Sequence, residues 1–172
     1  MLKVKEILNI TPINVEFDIY IPINIEFGMW DVSLEPTIYW RIGNFKKSLM
    51  EIGIGSKKGI IRSITLTQIN EIYDVNEENI FNEVPITEGV PVLEIENNNG
   101  NKNIFTDELK DFQVCINNDK VYILLSHQGL VSVIKNDRVS FGLDKNNLIC
   151  AIQVDKITSD EKFKIIQFKN SK

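Results

Sequence analysis

One stretch of this 172-residue chain occurs twice. Glu51-Ile-Gly-Ile54 followed by Ile60-Ile-Arg-Ser-Ile-Thr-Leu66 returns as Ser140-Phe-Gly-Leu143 followed by Leu148-Ile-Cys-Ala-Ile-Gln-Val154. With a difference of one residue in the connecting loop, apolar falls on apolar at Ile52/Phe141, Ile54/Leu143, Ile61/Ile149, Ile64/Ile152, Leu66/Val154 and Ile69/Ile157. Gly53 also falls on Gly142. Each copy has two period-2 runs around a polar loop, which is the pattern of a β-hairpin. A hairpin present twice implies a strand-rich unit carried twice.

A second feature points the same way. Every odd position from 13 to 27 is Ile, Val or Phe, and every even one is polar, Tyr20 or Pro22. Period-2 alternation puts one face in a core and the other in water. Because Pro22 has no ladder donor, the run is either one long edge strand or two strands broken near Ile21 to Ile23. Thr37-Ile-Tyr-Trp-Arg-Ile-Gly forms the next strand, with Trp30 and Trp40 as core anchors.

Polar loops at Asn117-Asn-Asp-Lys120 and Lys135-Asn-Asp-Arg138 predict two further hairpins. A short helix capped by Asn76 is expected over 74–81, and another, capped by Thr106, over 106–112. Thr158-Ser-Asp-Glu161 has capping-box spacing, so the tail is a helix or else a last strand. The expected fold is a single mainly β domain over residues 1–172, an internally duplicated antiparallel sheet, sandwich-like or an open barrel. Its pseudo-repeats lie around 37–69 and 121–157.

The residues that carry chemistry are sparse. His127 is the only histidine, in the turn Ser126-His-Gln-Gly129. Cys115 and Cys150 are the only cysteines, each inside an apolar run where a thiol serves as a small hydrophobe. Neither a catalytic triad nor a zinc set can be assembled from these, so the expectation is no enzyme, no metal and no cofactor. The glycines around Gly53, Gly55 and Gly59 lack the strand-to-helix setting of a phosphate loop. Lys3, Lys5 and Glu6 stand where a signal peptide needs its apolar core, and no run approaches the roughly 20 apolar residues of a membrane span. Together with the absence of a cysteine framework, this makes a cytoplasmic location the expectation.

Charge is distributed unevenly. The chain is −5 overall, but residues 70–112 hold eleven acids against Lys102 and Lys110, so that segment is −9 and the remainder +4. An acidic segment repels nucleic acid and attracts basic surfaces. Glu77, Glu78, Glu94, Glu96, Asp107 and Glu108 are therefore the candidate partner-binding carboxylates. Arg62 joins them, because it interrupts the repeat: its counterpart is Cys150, and alternation places it on the face of Ile60, Ile64 and Leu66.

Two groups of residues carry a resemblance. They are Trp40-Arg-Ile-Gly and Leu49-Met-Glu-Ile-Gly-Ile-Gly with the return strand Gly59-Ile-Ile-Arg-Ser-Ile-Thr-Leu, and Val139-Ser-Phe-Gly-Leu-Asp with Asn147-Leu-Ile-Cys-Ala-Ile-Gln-Val and Thr158-Ser-Asp-Glu. They resemble the small β-rich immunity proteins encoded beside bacterial polymorphic toxins, including those of contact-dependent inhibition systems. That resemblance implies a protein that binds and blocks one cognate toxin domain, often a nuclease with a basic cleft. A structural or scaffolding β-domain that binds another protein is the alternative reading, and a carboxylate-using enzyme the third.

Overall fold

The computed structural model describes residues 1–28, 35–74, 81, 84–95 and 104–170. Along them run β1 (Val4–Leu8), β2 (Ile13–Glu16), β3 (Ile23–Phe27), β4 (Thr37–Gly43), β5 (Leu49–Gly55), β6 (Ile61–Gln68), β7 (Ile72–Asp74) and β8 (Ile86–Glu88). Then come β9 (Val90–Leu93), β10 (Phe105–Leu109), β11 (Gln113–Asn117), β12 (Lys120–Leu124), β13 (Ser132–Asn136), β14 (Val139–Leu143), β15 (Ile149–Val154) and the helix α1 (Ser159–Asn170). The fold is mainly β, in sheets that do not close into a barrel.

The first large sheet has the order β10-β4-β5-β6-β3-β2, and the second β7-β11-β12-β15-β14-β13-β8. β1 and β9 form a separate antiparallel pair. In both large sheets an antiparallel hairpin (β2-β3, β11-β12) is followed by a three-strand meander (β4-β5-β6, β13-β14-β15) whose last strand pairs back onto the hairpin. A parallel strand then extends each meander, β10 on β4 and β8 on β13. The correspondence thus takes in five strands and an added edge, more than the hairpin that betrayed it.

The register of the two meanders agrees residue for residue. Ile52 faces Ile64 as Phe141 faces Ile152, and Ile54 faces Ile61 as Leu143 faces Ile149. Both ladders shift at the same place, between Gly53 and Ile54 and between Gly142 and Leu143. The extra residue of each shift is Arg62 in one copy and Cys150 in the other. A bulge of this type sets two residues against one and resets the alternation beyond it. That corrects the placing of Arg62 on the face of Ile64 and Leu66: its guanidinium bonds Thr37 Oγ1 and the Glu35 carbonyl, away from the core.

The inward faces of both sheets meet in one buried cluster that includes Ile25, Ile52 and Ile64 from the first and Phe141, Ile152 and Val154 from the second. Phe27 and Phe141 touch across it, ring centroids 5.9 Å apart. Ile165 and Phe168 bring α1 into the same cluster. The helix begins with the expected reciprocal cap: Thr158 N–H donates to Glu161 Oε2 (2.7 Å) and Glu161 N–H to Thr158 Oγ1 (3.2 Å).

The alternating run 13–27 resolves into β2 and β3, paired as a hairpin, so the broken reading holds and β2 is the sheet edge. Trp40 is buried as expected, while Trp30 lies outside the described residues. The expected helix over 106–112 is instead β10, parallel to β4 from Phe105 to Leu109. Cap-like residues there lost to the ladder, because pairing Asp107 against Arg41 gives the strand a charge partner that a short isolated helix would lack. Most of the helix expected over 74–81 lies outside the described residues.

Candidate functional site

Register places residues in straight rows across each sheet. On the outward face of the first, Asp107, Arg41, Glu51, Thr65, Asn24 and Glu16 stand side by side on β10, β4, β5, β6, β3 and β2. Arg41 makes a two-pronged ion pair with Asp107, Nε to Oδ1 at 2.7 Å and Nη2 to Oδ2 at 2.9 Å. That contact raises the guanidinium pKa above its ordinary value. The same guanidinium lies 4.3 Å from the Phe105 ring centroid and 5.7 Å from that of Phe45, and Phe105 stacks on Tyr39 at 5.6 Å. Thr65 Oγ1 donates to Asn24 Oδ1 (3.0 Å), and Asn14 Nδ2 to Glu16 (2.9 Å).

Two properties make this face a candidate for binding. Large apolar groups are left in water at its β10 margin: Phe105 is 46% exposed and Leu109 80%. Further across, Glu16, Glu26 and Glu51 take part in no ion pair among the described residues.

The equivalent row of the second sheet is Glu88, Lys135, Ser140, Gln153, Tyr122, Cys115 and Tyr73. Its middle four residues are buried. Phe81 packs on Tyr122 at 6.0 Å and belongs to a second buried cluster with Cys115, Val133 and Ala151. Burial pushes the Tyr122 hydroxyl up to about 12 and raises the Cys115 thiol. Gln153 Nε2 donates to Asp155 Oδ1, but Gln153 Oε1 finds no partner among the described residues.

The acidic candidates do not gather into one site. Glu94 pairs with Lys3 (2.9 Å), Asp107 with Arg41, and Glu108 with the terminal ammonium of Met1 (2.6 Å). Each is already matched to a cation of its own chain. Glu77, Glu78 and Glu96 lie outside the described residues. Arg62 is held by Glu35, whose other carboxylate oxygen accepts from the backbone N–H groups of Lys57 and Lys58, so this pair fastens the β5-β6 turn.

Two features of the sequence conceal the face of the first sheet. Glu16, Glu26 and Glu51 sit outside the acidic segment, although the polar even positions Asn14, Glu16, Asn24 and Glu26 already mark a solvent face. Its apolar margin was hidden by the helical reading of 106–112.

Elsewhere, a cleft of about 320 Å³ between β10-β11 and the turn after β12 is lined by Lys110, Phe112, Gln113, Leu125 and His127 among others. His127 is exposed, and Cys115 and Cys150 are buried free thiols. Among the described residues no three His, Cys, Asp or Glu side chains are grouped to hold a metal, and no helix is long and apolar enough to cross a membrane. No protein-family model matches the chain, and no curated protein matches it.

Proposed function

We propose that the chain is an immunity-type inhibitor that binds a cognate toxin domain, of which nucleases are one class, and blocks it by protein–protein contact. The observation that carries this reading is the group Tyr39, Arg41, Phe105 and Leu109 at the β4-β10 margin. Aromatic residues and arginine dominate the energetics of protein interfaces, because they bring large area at small entropic cost. Here the aromatic rings hold the guanidinium in place before any partner arrives. Preorganisation of this kind lowers the cost of association.

Expression of the chain together with toxic nuclease domains of the polymorphic-toxin class tests the reading. Cells survive if it holds, and the double variant Arg41→Ala/Phe105→Ala loses protection while keeping its far-UV circular dichroism. Complex formation without protection would favour the scaffolding reading. Survival unaffected by the double variant would remove this face from the account.

A further inference from the structure

We infer that the partner meets this chain with a cationic segment laid across the strands of the first sheet, along the row from Asp107 to Glu16. The inference rests on the inhibitor reading above, and adds to it where and with what chemistry the partner binds.

The second sheet supplies the precedent. There the chain passes from β7 at one edge to β8 at the opposite edge, and Phe81 of that connection is seated on the outward face. In the first sheet the edge strands are β2 and β10, which are far apart in sequence. Where the second sheet's outward row is buried, the first sheet's equivalent row is accessible, with Arg41, Glu51, Thr65 and Asn24 half-buried and Glu16 and Asp107 exposed.

The differences between the twins name the partner's chemistry. Glu51 stands where the second sheet has Ser140, Glu26 where it has Leu124, Glu16 where it has Cys115, and Asn24 where it has Tyr122. Three carboxylates and an amide thus stand where the second sheet has the buried Ser140, Cys115 and Tyr122 and the half-buried Leu124. Among the described residues Glu16, Glu26 and Glu51 form no ion pair, Arg41 beside Glu51 being engaged by both prongs of Asp107, so a complementary surface is basic. Glu51 and Glu16 are three strands apart, about 14 Å at the usual strand spacing. An extended segment covers that distance in about four residues, so arginines or lysines at i and i+4 reach both. Phe105 and Leu109 then receive an apolar side chain at the β10 end.

The test uses the full chain, ¹⁵N-labelled, titrated with a synthetic extended peptide that carries two arginines four residues apart and a leucine near one end. The control peptide has glutamine at both arginine positions. Amide shifts are expected in β2, β3, β5, β6 and β10, with binding weakened about tenfold or more by Glu16→Gln/Glu51→Gln and by the glutamine peptide. Glu88→Gln, on the second sheet, is expected to leave the titration unchanged. Absence of binding, equal binding of both peptides, or shifts centred on another surface would each overturn the inference. Peptide binding as expected from a chain that fails to protect cells would remove the inhibitor reading alone. Protection by a chain whose association with its toxin ignores Glu16→Gln/Glu51→Gln would remove this inference alone.

Discussion

The strands β6 and β15 occupy the same place in their sheets, yet β15 is buried at every position while β6 alternates with half-exposed Arg62, Thr65 and Thr67. Their inward residues are interchangeable in kind; their outward residues are not. The two copies share what the common core requires, the register and the bulge included, and differ on their outward faces. One carries a second small core under Phe81, and the other presents charge and aromatic rings. A core constrains both copies alike, whereas a solvent face is constrained only by what covers it.

The largest expected effect that separates the faces comes from Tyr122 and its equivalent Asn24. Tyr122→Ala should cost about 3–5 kcal/mol, as for a large buried side chain, and Asn24→Ala under about 1 kcal/mol, the scale of one hydrogen bond. Urea denaturation of both variants measures this, and similar losses would break the comparison. The inward controls Ile52→Ala and Phe141→Ala should each cost about 2–5 kcal/mol, because both copies feed one core.

Next in size is the bulge residue. Arg62→Ala leaves Glu35 without its guanidinium in a site where both side chains are largely covered, at 11% and 13% exposure. The expected loss is about 3 kcal/mol. Cys150→Ala at the equivalent position removes only a small buried hydrophobe, and should cost about 1 kcal/mol. The reverse ranking in denaturant melts would show that the two bulges are not supported as described.

Alkaline pH should act on the second sheet. Burial pushes Cys150 up to about 11 from an ordinary value of 9, with the Asp144 charge adding to it, and Tyr122 to about 12 from 10. Both groups stay protonated in the folded chain at a pH where the unfolded chain releases its protons. Their contribution is therefore complete below about pH 9 and is lost as pH rises through 11 to 12. Stability followed from pH 8 to 12 should fall over that window, and fall less in Cys150→Ala/Tyr122→Phe. An unchanged slope in the double variant would contradict the burial of that face.

A comparably small effect is expected at the helix cap. Burial by itself would raise the Glu161 pKa, but the Thr158 N–H and the Arg138 guanidinium outweigh it and hold the carboxyl below its ordinary value of 4.5. The stabilisation is present above that value and fades as pH falls below it. Thr158→Ala should cost about 1 kcal/mol at neutral pH.

Much of the fold was legible in the chain, for identifiable reasons. Ile52/Phe141 and Ile64/Ile152 could be matched by eye because the core demands apolar residues at both copies. Pro22 marked the break between β2 and β3, and Thr158 and Glu161 marked the start of α1. Two things were not legible. The stretch 105–109 carries Thr, Asp and Glu, which suit a helix start, and only the long-range pairing of Asp107 with Arg41 makes it a strand. The bulge that turns Arg62 away from the core depends on a pairing across β5 and β6 that strict alternation does not anticipate.

The candidate site was less legible still. Net charge along the sequence pointed to residues 70–112, but pairing in space neutralises Glu94, Asp107 and Glu108 within the chain. Glu16, Glu26 and Glu51 are scattered in sequence and come onto one sheet face only through register. A near-continuous apolar run in Leu148-Ile-Cys-Ala-Ile-Gln-Val, set against the alternation of Ile61-Arg-Ser-Ile-Thr-Leu-Thr, is the one local sign that the two outward faces differ.

Thiol accessibility at the paired positions Thr65 and Gln153 tests the central claim most directly. Thr65→Cys and Gln153→Cys place the same group on β6 and β15, in a chain whose own two cysteines are buried. The account predicts that Thr65→Cys reacts with a disulfide reagent at a rate near that of a free thiol, while Gln153→Cys, at a position only 3% exposed, reacts orders of magnitude more slowly until the chain is unfolded. Comparable rates in the native chain would contradict it.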